Sequence, residues 1–187
     1  MGMPATVRYW TPDDVRALPD DGRRYECIDG MLLVSPSPRV PHQRALTQLI
    51  SGLVDYLRAN PVGEFFASPS DVEIVRGHLV QPDVFVIAFP STGPIKHWPE
   101  IKGLRLAVEI LSPSTARYDR GVKRRFYTHS PTDEYWIVDA DARVVERWRQ
   151  GDDRPEVLTE QLLWQPSGAA KPMEIDLTEF FRAANGE

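Results

Sequence analysis

The chain has a single cysteine, Cys27, in 187 residues. That excludes an internal disulfide framework and a cysteine-rich zinc site. Cys27 sits beside Ile28 in an apolar run, which reads as a buried, inert thiol rather than a nucleophile. No apolar run approaches the roughly 20 residues needed to cross a bilayer. The first residues carry no basic stretch followed by an apolar core, so no secretory leader and no membrane partner are expected, and the cytoplasm is the expected compartment. Internal repeats and low-complexity tracts are also missing. Positive charge is in short supply: 22 Lys and Arg against 27 Asp and Glu give a net charge of -5. This argues against broad nonspecific coating of nucleic acid, but it leaves room for an enzyme that touches DNA through a local basic patch.

What is present suits one globular domain over 1–187, with 42% hydrophobic and 26% charged residues. The 17 prolines are scattered and punctuate loops. Residues 11–18 read as a short helix with Thr11 as N-cap and Pro12 at its first position. Arg24 to Ser35 reads as a hairpin turned by Asp29-Gly30. From Pro41 to Asn60, Leu46, Leu49, Ile50, Leu53, Val54 and Leu57 recur at helical spacing. Strands are expected at 64–67, 71–75, 79–89, 104–111, 133–139 and 144–149, a helix at 116–129, and a further strand or two and a helix in the tail. The order α-β-β-α-β-β-β-α-β-β gives an α/β or α+β domain: a mixed central sheet with helices packed on it.

Two isolated acids stand out. Asp83 lies in Val80-Gln81-Pro82-Asp83-Val84-Phe85-Val86-Ile87, and Glu109 in Leu104-Arg105-Leu106-Ala107-Val108-Glu109-Ile110-Leu111. An unpaired carboxylate in a buried strand costs several kcal/mol or neutralises itself. If the two strands are adjacent, both acids fall on one side of the sheet. In the following helix Asp119, Lys123, Phe126 and Tyr127 share one stripe, with Phe126 as the inward anchor. Two carboxylates, a hard metal ion and a lysine suit phosphodiester hydrolysis. The carboxylates hold Mg²⁺ or Mn²⁺, the metal activates water, and the lysine positions that water or stabilises the transition-state charge. The basic set Arg117, Arg120, Arg124 and Arg125 can line a phosphate path, or form a solvated helix face.

These residues resemble a known family. Tyr25-Glu26-Cys27-Ile28-Asp29-Gly30, Pro41-His42-Gln43, Pro82-Asp83-Val84, Val108 through Thr115, Asp119 with Lys123 and Tyr127, and Glu134 through Asp139 are similar, in order, to the Uma-type family of "putative restriction endonucleases". That family is a branch of the PD-(D/E)xK nuclease superfamily, and the similarity runs from about Tyr25 to Val145. The resemblance implies a restriction-endonuclease-like fold, with Asp83 and Glu109 as the two acids and the backbone carbonyl of Ile110 as a third metal ligand. The superfamily lysine should stand two residues after Glu109, where this chain has Leu111. Lys123, reaching back from the next helix, is the replacement. Glu26, His42 and Gln43 match early motifs and are expected at the rim of the site, with Tyr127 as an accessory residue.

Bland roles stand beside these: Asp83 paired with a basic neighbour, Glu109 in a salt bridge with Lys123 or Arg105, Asp119 on a helix surface, and Glu26 facing water. The leading expectation is a Mg²⁺-dependent endonuclease acting on DNA, working as a homodimer. The competing expectations are a non-catalytic binding module on the same fold and a protein-dimerisation domain.

Overall fold

The computed structural model describes residues 8–91 and 93–187. Helix α1 (Pro12–Arg16) begins at Thr11, where Thr11 and Asp14 cap each other's backbone N–H. Strands β1 (Arg24–Ile28) and β2 (Met31–Ser35) form the expected antiparallel hairpin. Its two-residue turn requires positive φ twice, and Asp29 and Gly30 adopt 51° and 73°. Helix α2 (Val40–Ala59) buries His42, Ala45, Leu49, Leu53, Tyr56 and Leu57. The stripe is turned slightly from the leucine pattern: Leu46 and Ile50 pack at its margin, while Ala45 and Tyr56 join the core.

The chain then runs through β3 (Gly63–Ala67), β4 (Val84–Ala88) and β5 (Leu104–Ile110). Next come α3 (Ala116–Tyr118), a π-helical turn at Asp119–Lys123 and α4 (Arg124–His129). Strands β6 (Thr132–Asp139), β7 (Val144–Arg149) and β8 (Glu156–Leu158) follow, then β9 (Gln161–Trp164), β10 (Met173–Asp176) and α5 (Leu177–Asn185).

Six strands form one sheet in the order β3-β4-β5-β6-β7-β8, with β5 and β6 parallel and the other pairs antiparallel. The helical segment 116–129 is the crossover that a parallel pair demands. Both faces of the sheet are covered, which is why β5 is apolar at almost every position. On one face Val84, Val86, Leu106, Val108, Trp136 and Val138 pack against α2, α5 and the β9-β10 hairpin. On the other, Phe85, Ala107, Tyr135 and Ile137 meet Phe126 and Tyr127 of α4 and Ile28 and Leu33 of the first hairpin. Tyr135 and Trp136 are therefore core residues, and buried Cys27 donates to the Trp10 carbonyl.

Three expected elements differ. Residues 71–75 form no strand, because only Val72 pairs with Val80, while the side chains of Asp71 and Glu73 are drawn to Arg16. The expected strand at 79–89 is split. Leu79 pairs with Cys27 and Val80 with Val72, Pro82 has no N–H to continue a ladder, and the strand proper starts at Val84. The expected helix at 116–129 is helical throughout but widens into a π turn where Lys123 points inward.

Gly63 is required by close packing rather than by φ. A Cβ there would lie 2.2 Å from the carbonyl oxygen of Ile87. Gly63→Ala is expected to cost about 1–3 kcal/mol by forcing β3 off β4. Thermal unfolding would show it as a drop of several degrees, and an unchanged midpoint would contradict the packing.

Candidate active site

The β4–β5 register pairs Val84 with Val108, so one step further along it sets Asp83 opposite Glu109. Both acids share the face carrying Phe85 and Ala107. Asp83 precedes β4 by one residue, and its Oδ2 accepts the backbone N–H of Ile110 at 2.8 Å. That bond ties the end of β4 to the end of β5. The α2 stripe presents His42 to the same carboxylate, with Nε2 3.0 Å from Oδ2. Strand β1 brings Arg24, whose Nη1 donates to Asp83 Oδ1 at 2.6 Å.

Behind Asp83 lies a second, deeper cluster. Lys123 Nζ sits 2.9 Å from Glu109 Oε1, 2.7 Å from Glu26 Oε2 and 3.6 Å from Asp119 Oδ1. Tyr127 donates its hydroxyl to Glu109 at 3.4 Å. Glu26 also accepts the Gln81 N–H at 2.8 Å. Lys123, Glu109, Asp119 and Glu26 are only 2%, 2%, 1% and 0% exposed, so these charges are held almost without water. Inward placement follows from the sequence: Phe126 and Tyr127 anchor α4 in the core, and the π turn carries Asp119 and Lys123 to the same side.

The electrostatics are lopsided. Four carboxylates, those of Glu26, Asp83, Glu109 and Asp119, face two obligate cations, Arg24 and Lys123. Burial pushes the Glu109 carboxyl well above the ordinary glutamate range, with Lys123 opposing that shift and neighbouring acids adding to it. Burial likewise raises Asp119. Burial would raise Asp83 too, but the His42 bond, Arg24 and the Ile110 N–H hold it down to about 2. For Lys123, burial would favour the neutral amine, yet Glu109, Glu26 and Asp119 together raise its pKa, so it stays an ammonium.

Opposite pH dependences follow. The depressed Asp83 pKa contributes about 2–3 kcal/mol that is fully present above its unfolded value of ~3.9 and is lost as pH falls through 2. The raised Glu109 pKa works the other way: its protonated form favours the fold at low pH, and that contribution is lost as pH rises through the folded value. Asp83→Asn is therefore expected to flatten the fall of the thermal midpoint between pH 4 and pH 2. A wild-type acid limb in that variant would contradict the Asp83 assignment.

Asp83, Glu109, Lys123, Glu26, His42 and Tyr127 are thus brought together, with the backbone of Ile110 beside them. Glu26 is not at a rim or in water but in the buried centre, because alternation along β1 turns it inward while the hairpin is covered. Asp119 is likewise not a helix-surface residue. Gln43 is exposed and lines the cleft beside His42. Arg117 and Arg125 are exposed. Arg120 instead pairs with Asp139 and Glu146, and the Arg124 guanidinium lies over the Trp148 ring. Sequence reasoning missed Arg24 as a partner of the site. Its signal was the spacing Arg24-x-Glu26, two charges on one face of a strand otherwise read as apolar.

A cleft of about 290 Å³ opens onto Asp83, lined in part by Arg23, Arg24, Pro36, His42, Gln43 and Ser68. Among the described residues, no group of three or more His, Cys, Asp or Glu is arranged to hold a metal by itself. Asp83 and Glu109 nevertheless fit a hard cation in kind: their donors are oxygens, they face each other across the register, and the cluster has an excess of buried negative charge. Mg²⁺ needs only one or two protein carboxylates.

The comparisons with known proteins cover most of the chain. A family model, Uma2, described as "Putative restriction endonuclease", matches residues 12–178. A crystal structure from Anabaena variabilis described as "a putative nuclease belonging to DUF820" superposes with a TM-score of 0.75. The match covers 94% of this chain and 99% of that one at 20% identity, which establishes a shared fold. An uncharacterized protein, slr1290, from Synechocystis is 43% identical over 49 residues. That stretch spans 26% of either chain, about a quarter of the relative's length.

Proposed function

Because the chain belongs to the Uma2 family, described as "Putative restriction endonuclease", we propose that it is a metal-dependent endonuclease that hydrolyses DNA phosphodiester bonds at Asp83, Glu109 and Lys123. The observation that carries this reading is Lys123 Nζ at 2.9 Å from Glu109, directly across the β4–β5 register from Asp83. The relocated lysine thus reaches the acid it must serve from a different element.

Asp83, Glu109 and the Ile110 carbonyl would hold Mg²⁺ or Mn²⁺, which when bound acidifies water and offsets phosphate charge. His42 and the Ile110 N–H fix the orientation of Asp83. Glu26 and Asp119 keep Lys123 protonated, so it acts as a fixed positive charge and hydrogen-bond donor, not as a general base. Tyr127 donates to the same Glu109 oxygen that Lys123 contacts and helps to fix it. Cutting both strands of a duplex is simplest with two such sites related by a two-fold axis, so a homodimer is the working assembly.

A second reading, a binding module without catalysis, is favoured by one feature: Arg24 and Lys123 already pair both acids. A nicking assay on supercoiled plasmid separates the two. The nuclease reading expects cutting in Mg²⁺ or Mn²⁺ that ceases with EDTA. DNA retained in Ca²⁺ but never cut in either metal would favour the binding module.

A further inference from the structure

Arg24 has more donors than its partners use. Its Nη1 makes every bond it forms to the described residues, to Asp83 Oδ1, Ser68 Oγ at 3.2 Å and Gln81 O at 3.5 Å. Its Nε is buried without a partner, and its Nη2 bonds none of the described residues. Nε–H and Nη2–H form one edge of the guanidinium fork, the edge that fits two oxygens of a phosphate. A buried donor without a protein partner needs an acceptor, and an anion held in the adjoining cleft can supply one.

Other parts of the cleft also suit an anion, although Asp20 lies on its wall besides Asp83. Helix α2, 20 residues long, begins at its wall with no side-chain cap and no acid in its first turn. Its Val40 and His42 N–H groups have no intrahelical acceptor, and the dipole is positive there. His42 is 6% exposed, lines the cleft, and its Nδ1 has no partner. Arg23 adds a further positive charge at the wall, shared with Asp21.

We propose that this cleft is a phosphate subsite in which the Nε/Nη2 edge of Arg24 grips a backbone phosphate of the substrate strand next to Asp83. Arg24 then links two tasks. One side of the guanidinium holds the acid and the other holds the strand, so strand binding and Asp83 orientation are coupled. That the phosphate belongs to DNA rests on the nuclease reading, whereas the anion chemistry rests on the cleft alone.

The test uses full-length protein, a short DNA duplex in Ca²⁺ and inorganic phosphate as competitor. Arg24→Met is expected to weaken duplex binding about tenfold or more, with Arg24→Lys intermediate because it keeps the charge but not the fork. His42 and the Ile110 N–H still hold Asp83 in both variants, and a wild-type circular dichroism spectrum checks the fold. Arg58→Met, on the far end of α2, is expected to bind normally. Inorganic phosphate should compete with the duplex in wild type and lose that effect in Arg24→Met. Wild-type affinity in Arg24→Met would overturn the proposal, as would phosphate binding that DNA does not displace. Failure of the nuclease reading shows separately, as uncut DNA in Mg²⁺ and Mn²⁺ with this binding pattern intact.

Discussion

Glu109→Gln is expected to lower metal-dependent DNA cleavage by about 100- to 1000-fold while leaving the thermal midpoint unchanged or higher. A catalytic residue that is also a drain on stability gives this combination. Glu109 is buried, and burial raises its pKa, so its ionised form is unfavourable in the folded chain. Glutamine keeps the shape and an oxygen that can accept from Lys123 and Tyr127, and it removes one negative charge from a cluster holding an excess of them. Lys123 keeps Glu26 and Asp119 as counter-charges. The gain should be larger at pH 8 than at pH 5, because only the ionised glutamate is penalised. Cleavage and thermal unfolding on the same preparations check this. A variant that cuts normally would remove Glu109 from the site, and one that unfolds outright would make it a structural ion-pair partner.

Lys123→Met is expected to cost about 3–5 kcal/mol, the largest stability loss of any single change near the site. The lysine is the only cation within 4 Å of Glu26 and Asp119 among the described residues. Removing it leaves three carboxylates packed together with no counter-charge, and they must take up protons or admit water. The loss should grow with pH for that reason. It should also shrink in the double variant Lys123→Met with Glu109→Gln, by 1 kcal/mol or more, since contacting charges do not act additively. Denaturant unfolding of the four-member cycle measures it. Additive losses would show that Lys123 and Glu109 do not act on each other.

The main outline of this fold was legible from short signals. Asp29-Gly30 marked the hairpin, the leucines of α2 marked the long helix, and the double-sided apolar run of β5 marked a strand covered on both faces. The sheet order was not legible, because a strand's pattern says which faces are buried but not which neighbour it pairs with. Residues 71–75 misled because Val72 and Ile74 alternate with Asp71 and Glu73 as in a strand, while those two acids in fact tie a loop to Arg16. The site was half legible. Asp83 and Glu109 stood out as acids among apolar residues, and Lys123 by its place on the stripe of Phe126. Arg24 did not stand out, and Asp119, though on that same stripe, was expected at the helix surface, since a charged residue near a turn or helix start is usually solvated. Arg24 is turned inward by its bond to Asp83 beyond the start of β4, and Asp119 by the π turn that also buries Lys123.

Calorimetric titration of the metal-free protein with Mn²⁺ tests the central claim most directly, because it asks whether Asp83 and Glu109 are a metal site or a pair of internal salt bridges. Saturable binding of one ion per chain is expected, lost in Asp83→Asn and in Glu109→Gln. Saturable binding that survives in both variants, or none in wild type, would contradict it.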